Sequence, residues 1–316
     1  MSDSLIFPGQ GSQVVGMGRA LAEAHPQARA VFEEVDAALG QNLSGLMFEG
    51  PAEALTLTAN AQPALMAASL AVLRVLEAER GLTLAGGVQC VAGHSLGEYS
   101  ALAAAGSVTI TDAARLLRIR GEAMQRAVAP GAGAMAALIG AEPAQAAEIA
   151  AEIAAEAAED QVCDVANDNG GGQVVLSGDR AAVERAVAIA QGRGIKRAVM
   201  LNVSAPFHCR LMAPAAEAMR EALADVALRA PVVPVYANVT AAPVTSPEAI
   251  REALVRQVTG TVRWREGVAA MAGAGVTRFL ELGAGKVLTG LVKRIAPGTT
   301  GSAIGTPDDV AAFSRG

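Results

Sequence analysis

A serine stands between two glycines at a point where the chain changes from a strand pattern to a helix pattern. Residues 87–93 are small and β-branched and predict a buried strand, whereas residues 96–105 predict a helix. Between them, Gly93-His94-Ser95-Leu96-Gly97 fits the Gly-x-Ser-x-Gly nucleophile elbow, a sharp turn whose slim neighbours let the serine project. A glycine-rich packing turn is the alternative interpretation of the same five residues.

Strand and helix patterns alternate on both sides of this turn, which predicts an α/β fold with a parallel sheet covered by helices. One predicted helix runs from Pro63 to about Arg80. Another spans 111–127, with its N-cap at Thr111 or Asp112.

The pattern changes to β-α-β-β-α-β between residues 128 and 198, the order typical of a ferredoxin-like unit. It comprises an Ala/Glu-rich helix over 141–160, a hairpin around Gly171 and a helix capped by Asp179. We therefore predict a large catalytic domain formed by 1–127 and 199–316, with 128–198 as an inserted subdomain.

Composition restricts the classes of partner. A net charge of −6 and 3% aromatic residues argue against nucleic acid. Three cysteines without a CxxC spacing suit a reducing compartment, and three scattered histidines argue against a metal site. The first residues do not form a signal peptide, and the uncharged stretch 54–73 is interpreted as a buried helix. We expect a soluble, cytoplasmic protein that uses neither a membrane nor a metal.

A nucleophilic serine requires a base, and the chain offers only His25, His94 and His208. His25 precedes a proline in a predicted surface loop. His94 adjoins Ser95, where turn geometry directs neighbouring side chains apart, so it is interpreted as a support residue. His208 lies in a loop between a strand and a helix, where active sites of α/β folds are built. It is therefore the preferred base, with a structural histidine as the alternative.

A third triad member is not evident. The acids between the serine and His208 include Asp164, Asp168 and Asp179, and all three fall in the predicted insertion. Asp179 already has the position of a helix cap. Another group, such as a backbone carbonyl, is an alternative means of orienting the histidine.

Arg120 occupies an unusual place on its predicted helix. It lies in the middle of the apolar face that Leu116, Leu117 and Met124 share, while Arg118 and other charged residues lie opposite. A guanidinium that faces inward requires an anion. That anion is either an internal carboxylate or a carboxylate of the substrate.

Two glycine-rich loops do not fit nucleotide-binding patterns. Residues 7–13 fail G-x-G-x-x-G because position 14 is valine, and residues 282–290 lack the spacing of a P-loop. The first loop can instead supply a backbone N–H to an oxyanion.

Taken together, the motifs resemble those of malonyl-CoA:acyl carrier protein transacylases over nearly the whole chain. The matching stretches, in the family's order, are FPGQGSQ at 7–13, GHSLGEYSA at 93–101, Arg120-Gly121 to Met124, PFH at 206–208 and GAGKVLTGLVKRI at 283–295. Ala284 stands where proline is frequent in the family, which is a conservative departure. The resemblance implies an α/β-hydrolase-like domain with a ferredoxin-like insertion.

The resemblance also implies a role for each site residue. Ser95 attacks the malonyl thioester and His208 is the general base. The backbone N–H groups of Gln10 and Leu96 form the oxyanion hole, and Arg120 binds the free carboxylate of malonate. The backbone carbonyl of Gln257 is the matched candidate for orienting His208.

Further implications of the resemblance concern partners. The substrates would be malonyl-CoA and holo-acyl carrier protein, and the reaction would supply fatty acid biosynthesis. The protein would need no cofactor and would act as a monomer. Phe207 resembles the residue before the histidine in malonyl-selective members.

Two other classes of function stay open. A hydrolase would use the same elbow and release free malonate without an acceptor. A catalytically silent scaffold that binds the carrier protein would not be labelled at Ser95. A transacylase of a polyketide or malonate decarboxylase system would share the reaction and differ only in its pathway.

Overall fold

The fold is known from a computed structural model that describes residues 2–156 and 161–314. The described strands form two sheets, one of six strands and one of four. The strands are β1 Asp3–Phe7, β2 Cys90–Gly93, β3 Gly133–Ile139, β4 Cys163–Gly170, β5 Gln173–Asp179, β6 Arg197–Met200, β7 Val235–Ala237, β8 Ala242–Val244, β9 Arg278–Leu282 and β10 Thr300–Ile304.

The described helices lie between these strands. They are α1 Arg19–Ala24, α2 Pro26–Leu39, α3 Leu43–Glu49, α4 Ala52–Thr56, α5 Thr58–Arg80, α6 Gly97–Ala104, α7 Ile110–Ala127, α8 Pro143–Glu156, α9 Arg180–Gly192, α10 Ala213–Ala224, α11 Pro247–Gln257, α12 Trp264–Gly273, α13 Val287–Ile295 and α14 Pro307–Ala312. The expected alternation of strand and helix is confirmed, and the fold is mixed α/β.

The larger sheet is predominantly parallel. Its order is β10-β9-β1-β2-β7-β8, and only the pair β7/β8 is antiparallel. Every residue of β1 is buried, as expected for a strand covered by helices on both faces. Strand β1 pairs with β2 on one side and with β9 on the other, so the strand order reverses at β1. This switch point opens a crevice at the carboxyl ends of β1 and β2.

The smaller sheet is antiparallel, with the order β4-β5-β3-β6. Helices α8 and α9 pack on it over a separate apolar cluster that includes Leu138, Ile149 and Val183. A short bridge joins the two parts, because the backbone N–H of Val262 donates to the carbonyl of Ala166 at 2.8 Å. The loop between α11 and α12 thereby links the smaller sheet to the rest of the fold.

Helix α5 is the central helix of the main core. In the described residues it is the one helix long and apolar enough to cross a membrane, and 83% of its apolar window is buried inside the protein. The prediction of a buried helix is confirmed, but its predicted start at Pro63 is wrong. The helix begins at Thr58, because Pro63 already has a helical φ and lacks only one hydrogen bond near the helix start.

One predicted cap is wrong, and another is confirmed in position only. Helix α7 is capped by Thr109, whose hydroxyl accepts from the N–H of Asp112 at 3.0 Å. Asp179 has the N-cap position of α9, but its carboxylate accepts from the N–H of Val162 at 2.7 Å and does not cap the helix. The predicted helix over 141–160 is observed as Pro143–Glu156, and its last four predicted residues lie outside the described residues.

Candidate active site

The turn after β2 has the geometry of a nucleophile elbow. Ser95 has a positive φ of 53°, which is strained for a residue with a side chain. A Cβ on Gly93 would lie 1.9 Å from the backbone of Gly97, and one on Gly97 would lie 2.3 Å from the carbonyl oxygen of Phe7. Both glycines are therefore required by close backbone packing at this turn.

Ser95 is hydrogen-bonded to the histidine that the sequence favoured. The Oγ of Ser95 lies 2.7 Å from Nε2 of His208. The other ring nitrogen, Nδ1, lies 2.8 Å from the backbone oxygen of Gln257, the last residue of α11. A carbonyl oxygen can only accept, so Nδ1 carries the proton and Nε2 presents its lone pair to the serine.

Burial keeps this imidazole neutral. Only 4% of His208 is exposed. Desolvation, together with the charge of Arg120, lowers the pKa of His208 to about 3. A neutral imidazole with a free Nε2 lone pair is the form that accepts a proton from a hydroxyl.

The three candidate triad acids all have other partners. Asp164 pairs with Arg210, and Asp168 pairs with Arg265. Asp179 accepts the backbone hydrogen bond described above. The position of the third triad member is therefore taken by the Gln257 carbonyl, as the resemblance implied.

Arg120 faces inward from α7, as its helical position predicts. It is 2% exposed, and one of its terminal nitrogens donates to Oε1 of Gln62 at 2.8 Å. The other donates to Oε1 of Gln257 at 2.8 Å and to Oγ of Ser95 at 3.1 Å. Its Cζ atom lies 5.8 Å from the ring centroid of Tyr99, within range of a cation–π contact.

No carboxylate of the described residues forms a salt bridge with Arg120. Its Nε–H also has no hydrogen-bond partner in this part of the chain. The first of the two anions considered above, an internal carboxylate in direct contact, is therefore absent from the described structure. The guanidinium is held by neutral amides beside the serine oxygen.

Besides Gln62, two further polar residues of the site were missed by sequence reasoning. Glu98, in the first turn of α6, is 1% exposed, and its Oε2 accepts from the backbone N–H of Asn238 and from Nε2 of Gln257, each at 2.9 Å. Burial raises the pKa of Glu98 to about 7. The only signal in the sequence was a single charged residue in the helix Gly97–Ala104.

Asn238 follows β7 and ties the elbow to that strand. Its Oδ1 accepts from the N–H of Ser95 at 2.7 Å, and its Nδ2 donates to the carbonyl of Gly93 at 2.8 Å. Both bonds join residues more than 140 positions apart. The strained turn is therefore stabilised by the distant residue Asn238, in addition to the close packing that its own glycines allow.

Two backbone N–H groups near the serine are free to bind an anion. Gln10 follows β1 and Leu96 follows Ser95, and both residues line the same cavity as Ser95. Neither N–H donates to another group among residues 2–156 and 161–314. The side chain of Gln10 is held away by the hydroxyl of Thr58, which donates to its Oε1 at 2.8 Å.

The two other histidines are placed as supports. Nε2 of His94 lies 2.8 Å from Oδ1 of Asn169, and its ring packs 5.6 Å from that of Trp264. Nδ1 of His25 lies 2.6 Å from a carboxylate oxygen of Glu79. Neither ring is hydrogen-bonded to Ser95.

A cavity of about 350 Å³ opens above the serine. The larger sheet and its helices contribute Gln10, Leu96 and Arg120, and the smaller sheet contributes Met135 and Val175. The volume is at the lower end of the range for small-molecule sites, and most of the lining surface is apolar. Among the described residues, no group of three or more His, Cys, Asp or Glu could hold a metal ion.

Comparisons with known proteins agree on one family. The profile of the family described as "Acyl transferase domain" matches residues 4–298. The chain is 48% identical over 309 residues to the malonyl CoA-acyl carrier protein transacylase of Escherichia coli (strain K12), covering 98% of this chain and 97% of that protein.

Solved structures agree with this result. An acyl-carrier-protein-S-malonyltransferase from Bartonella henselae superposes with a TM-score of 0.95 at 55% identity, over 99% of this chain and 98% of that chain. A malonyl-transacylase in complex with a type II PKS acyl-carrier protein superposes with a TM-score of 0.94 at 42% identity, over 99% and 98% of the two chains.

Proposed function

This chain belongs to the acyl transferase family, among its malonyl CoA-acyl carrier protein transacylases, and from that premise we propose the reaction that it catalyses. It transfers the malonyl group from malonyl-CoA to the phosphopantetheine thiol of an acyl carrier protein through a malonyl ester on Ser95. The product supplies fatty acid biosynthesis.

The observation that carries this proposal is the position of Arg120. A buried guanidinium that has no carboxylate partner within residues 2–156 and 161–314, and that lies 3.1 Å from the nucleophile, is placed to bind an acid at the far end of a short acyl group. A general esterase does not need such a cation, and a binding scaffold does not need a serine hydrogen-bonded to a neutral imidazole.

In the first half-reaction, His208 accepts the hydroxyl proton at Nε2 while Oγ of Ser95 attacks the thioester carbonyl carbon. The carbonyl oxygen becomes an oxyanion, which the free N–H groups of Gln10 and Leu96 stabilise. The carbon–sulfur bond then breaks. Coenzyme A leaves as a thiol after His208 returns the proton to its sulfur.

The second half-reaction reverses these steps with a different thiol. His208 removes the proton of the carrier thiol, and the sulfur attacks the carbonyl carbon of the malonyl ester. The carbon–oxygen bond breaks, and Oγ of Ser95 takes the proton from His208. Throughout, Arg120 binds the malonyl carboxylate and fixes the orientation of the ester.

The domain description follows the same premise. We infer that residues 1–127 and 199–316 form an α/β-hydrolase-like catalytic domain and that 128–198 form an inserted ferredoxin-like subdomain, whose last strand β6 continues two residues past this boundary to Met200. The strand order β4-β5-β3-β6 and the two helices α8 and α9 support this assignment. We further propose that the protein works as a cytoplasmic monomer with malonyl-CoA and holo-acyl carrier protein as its partners.

Brief exposure to malonyl-CoA followed by peptide mass spectrometry tests the function. The expected adduct lies on the peptide that contains Ser95, is absent from Ser95→Ala, and moves to holo-acyl carrier protein when this is added. An adduct at another residue, or turnover by the alanine variant, would contradict the proposal. Rapid release of malonate without an acceptor would identify a hydrolase, and absence of labelling would identify a scaffold.

The choice of acceptor separates the pathways. A panel of holo-carrier proteins from fatty acid and polyketide systems, compared at equal concentration, should show the highest kcat/KM for the fatty acid carrier. A preference for a polyketide carrier would refute that part of the proposal and leave the transfer chemistry intact.

A further inference from the structure

We propose that Glu98 is a positioning residue that anchors the side-chain amide of Gln257, which in turn holds Arg120 in place for the carboxylate of the acyl group. The inference rests on the proposed function, because it concerns how that carboxylate is recognised. It assigns a role to a buried acid that the transfer steps do not use.

The geometry forms an unbroken chain of hydrogen bonds from a carboxyl group to a cation. Oε2 of Glu98 accepts from Nε2 of Gln257 at 2.9 Å, and Oε1 of the same amide accepts from Arg120 at 2.8 Å. All three side chains are at least 98% buried. Water cannot easily replace any of these contacts, so each group depends on its neighbour.

The direction of the amide is set by what each neighbour can do. A guanidinium only donates hydrogen bonds, and the backbone oxygen of Ser95, which lies 3.0 Å from Nε2 of Gln257, only accepts them. The amide of Gln257 must therefore turn its nitrogen to Glu98 and its oxygen to Arg120. Oε2 of Glu98 is the second acceptor of this nitrogen, and it also accepts from the backbone N–H of Asn238.

The same glutamine serves two catalytic groups through separate atoms. Its side chain contacts Arg120, whereas its backbone oxygen accepts from Nδ1 of His208 at 2.8 Å. Loss of the Glu98 anchor frees the side chain but leaves the backbone, at the end of α11, in place. Recognition of the acyl carboxylate should therefore suffer more than the proton transfer itself.

The test is a double-variant cycle with Glu98→Leu and Gln257→Met, which keep the volume of each side chain. We measure kcat/KM for acylation of Ser95 by malonyl-CoA and by acetyl-CoA, which lacks the carboxylate. Each variant should lower the malonyl value about 10- to 100-fold and the acetyl value less than about three-fold. In the malonyl-to-acetyl ratio, the double variant should be no worse than the more impaired single one, because both variants remove the same support of Arg120. Loss of the bond from the Asn238 N–H to Glu98 should lower both kcat/KM values alike and leave this ratio unchanged.

Two controls separate positioning from general damage. Glu98→Gln keeps an acceptor oxygen at the same position and should retain the malonyl preference within about three-fold. Asp3→Asn removes a buried carboxylate paired with Arg278 at the opposite end of β1. It should lower the melting temperature without changing the ratio of the two kcat/KM values. If Glu98→Leu does not fold, Glu98→Ala replaces it.

The proposal fails if Glu98→Leu lowers both kcat/KM values in parallel, or if the losses in the double variant add. A wild-type enzyme with no preference for malonyl-CoA would instead contradict the proposed function. A wild-type preference that Glu98→Leu leaves intact would contradict only the role of Glu98.

Discussion

Replacing Arg120 with methionine should convert a malonyl-selective enzyme into one that no longer distinguishes acyl groups by charge. Methionine keeps most of the volume on the apolar face of α7 and removes the guanidinium. In the wild type, one terminal N–H bonds to Ser95 Oγ at 3.1 Å and Nε–H has no partner among the described residues, so donors remain for a bound carboxylate.

The magnitude follows from the contact that is lost. A charge-assisted pair in a desolvated site contributes about 2–4 kcal/mol beyond its solvation cost, which corresponds to roughly 30- to 1,000-fold in kcat/KM. The malonyl value should fall by this factor, and the acetyl value should change less than about five-fold. Arg120→Lys should recover only part of the loss, since an ammonium cannot bind a carboxylate in a bidentate manner.

The assay is the initial rate of Ser95 acylation by each thioester, with thermal melts on the same samples. Arg118→Met is the matched control, because this arginine lies on the same helix but bonds to Asn60 and Gln41. An Arg120→Met variant that is destabilised but keeps the malonyl-to-acetyl ratio of the wild type would refute the carboxylate-binding role.

Three further predictions follow from the site. His208→Ala should lower the transfer rate about 10²- to 10⁴-fold, whereas His94→Ala should act mainly through stability; near-normal transfer by the former would reverse the assignment of the base. Because the pKa of His208 is about 3, kcat/KM for acetyl-CoA should stay level from pH 8 to pH 5, and a fall centred near pH 6.5 would contradict a buried neutral imidazole. The pKa of Glu98 rises from 4.5 to about 7 on folding, so the folded state binds more protons between these values and stability falls as the pH rises through them. At pH 8, Glu98→Gln should therefore be more stable than the wild type by up to about 3 kcal/mol and should melt at a higher temperature. The difference should shrink toward pH 5. An equal melting temperature at pH 8 would show that ionised Glu98 does not destabilise the folded state.

The features that sequence reasoning predicted correctly are those specified within a few residues. The elbow is one, because two glycines and a serine at a strand–helix boundary already define the turn. The inward position of Arg120 is another, because helical spacing alone puts it beside Leu116 and Leu117. Local patterns were less exact at element ends, where Thr109 rather than Thr111 or Asp112 caps α7.

The features that were missed depend on distant partners. Glu98 is 140 positions from Asn238 and 159 from Gln257, and no local pattern connects these three residues. The choice between an internal and a substrate anion for Arg120 also needed the structure, because it depends on which side chains surround the guanidinium. The short helices α3 and α4 were not predicted either, since seven and five residues are too few to show a clear period.

The hydrogen bond between Ser95 and His208 joins residues 113 positions apart, with the smaller sheet lying between them in the chain. That sheet brings its own ends together, since the N–H of Leu201 donates to the carbonyl of Met135 at 2.8 Å. Once these ends, 66 positions apart, have met, the loop that closes the catalytic pair shortens from 113 to about 47 residues. Loop-closure entropy then opposes the pairing by about 0.8 kcal/mol less. The smaller sheet thus lowers the entropic cost of bringing Ser95 to His208. A variant whose smaller sheet folds late should assemble its active site more slowly.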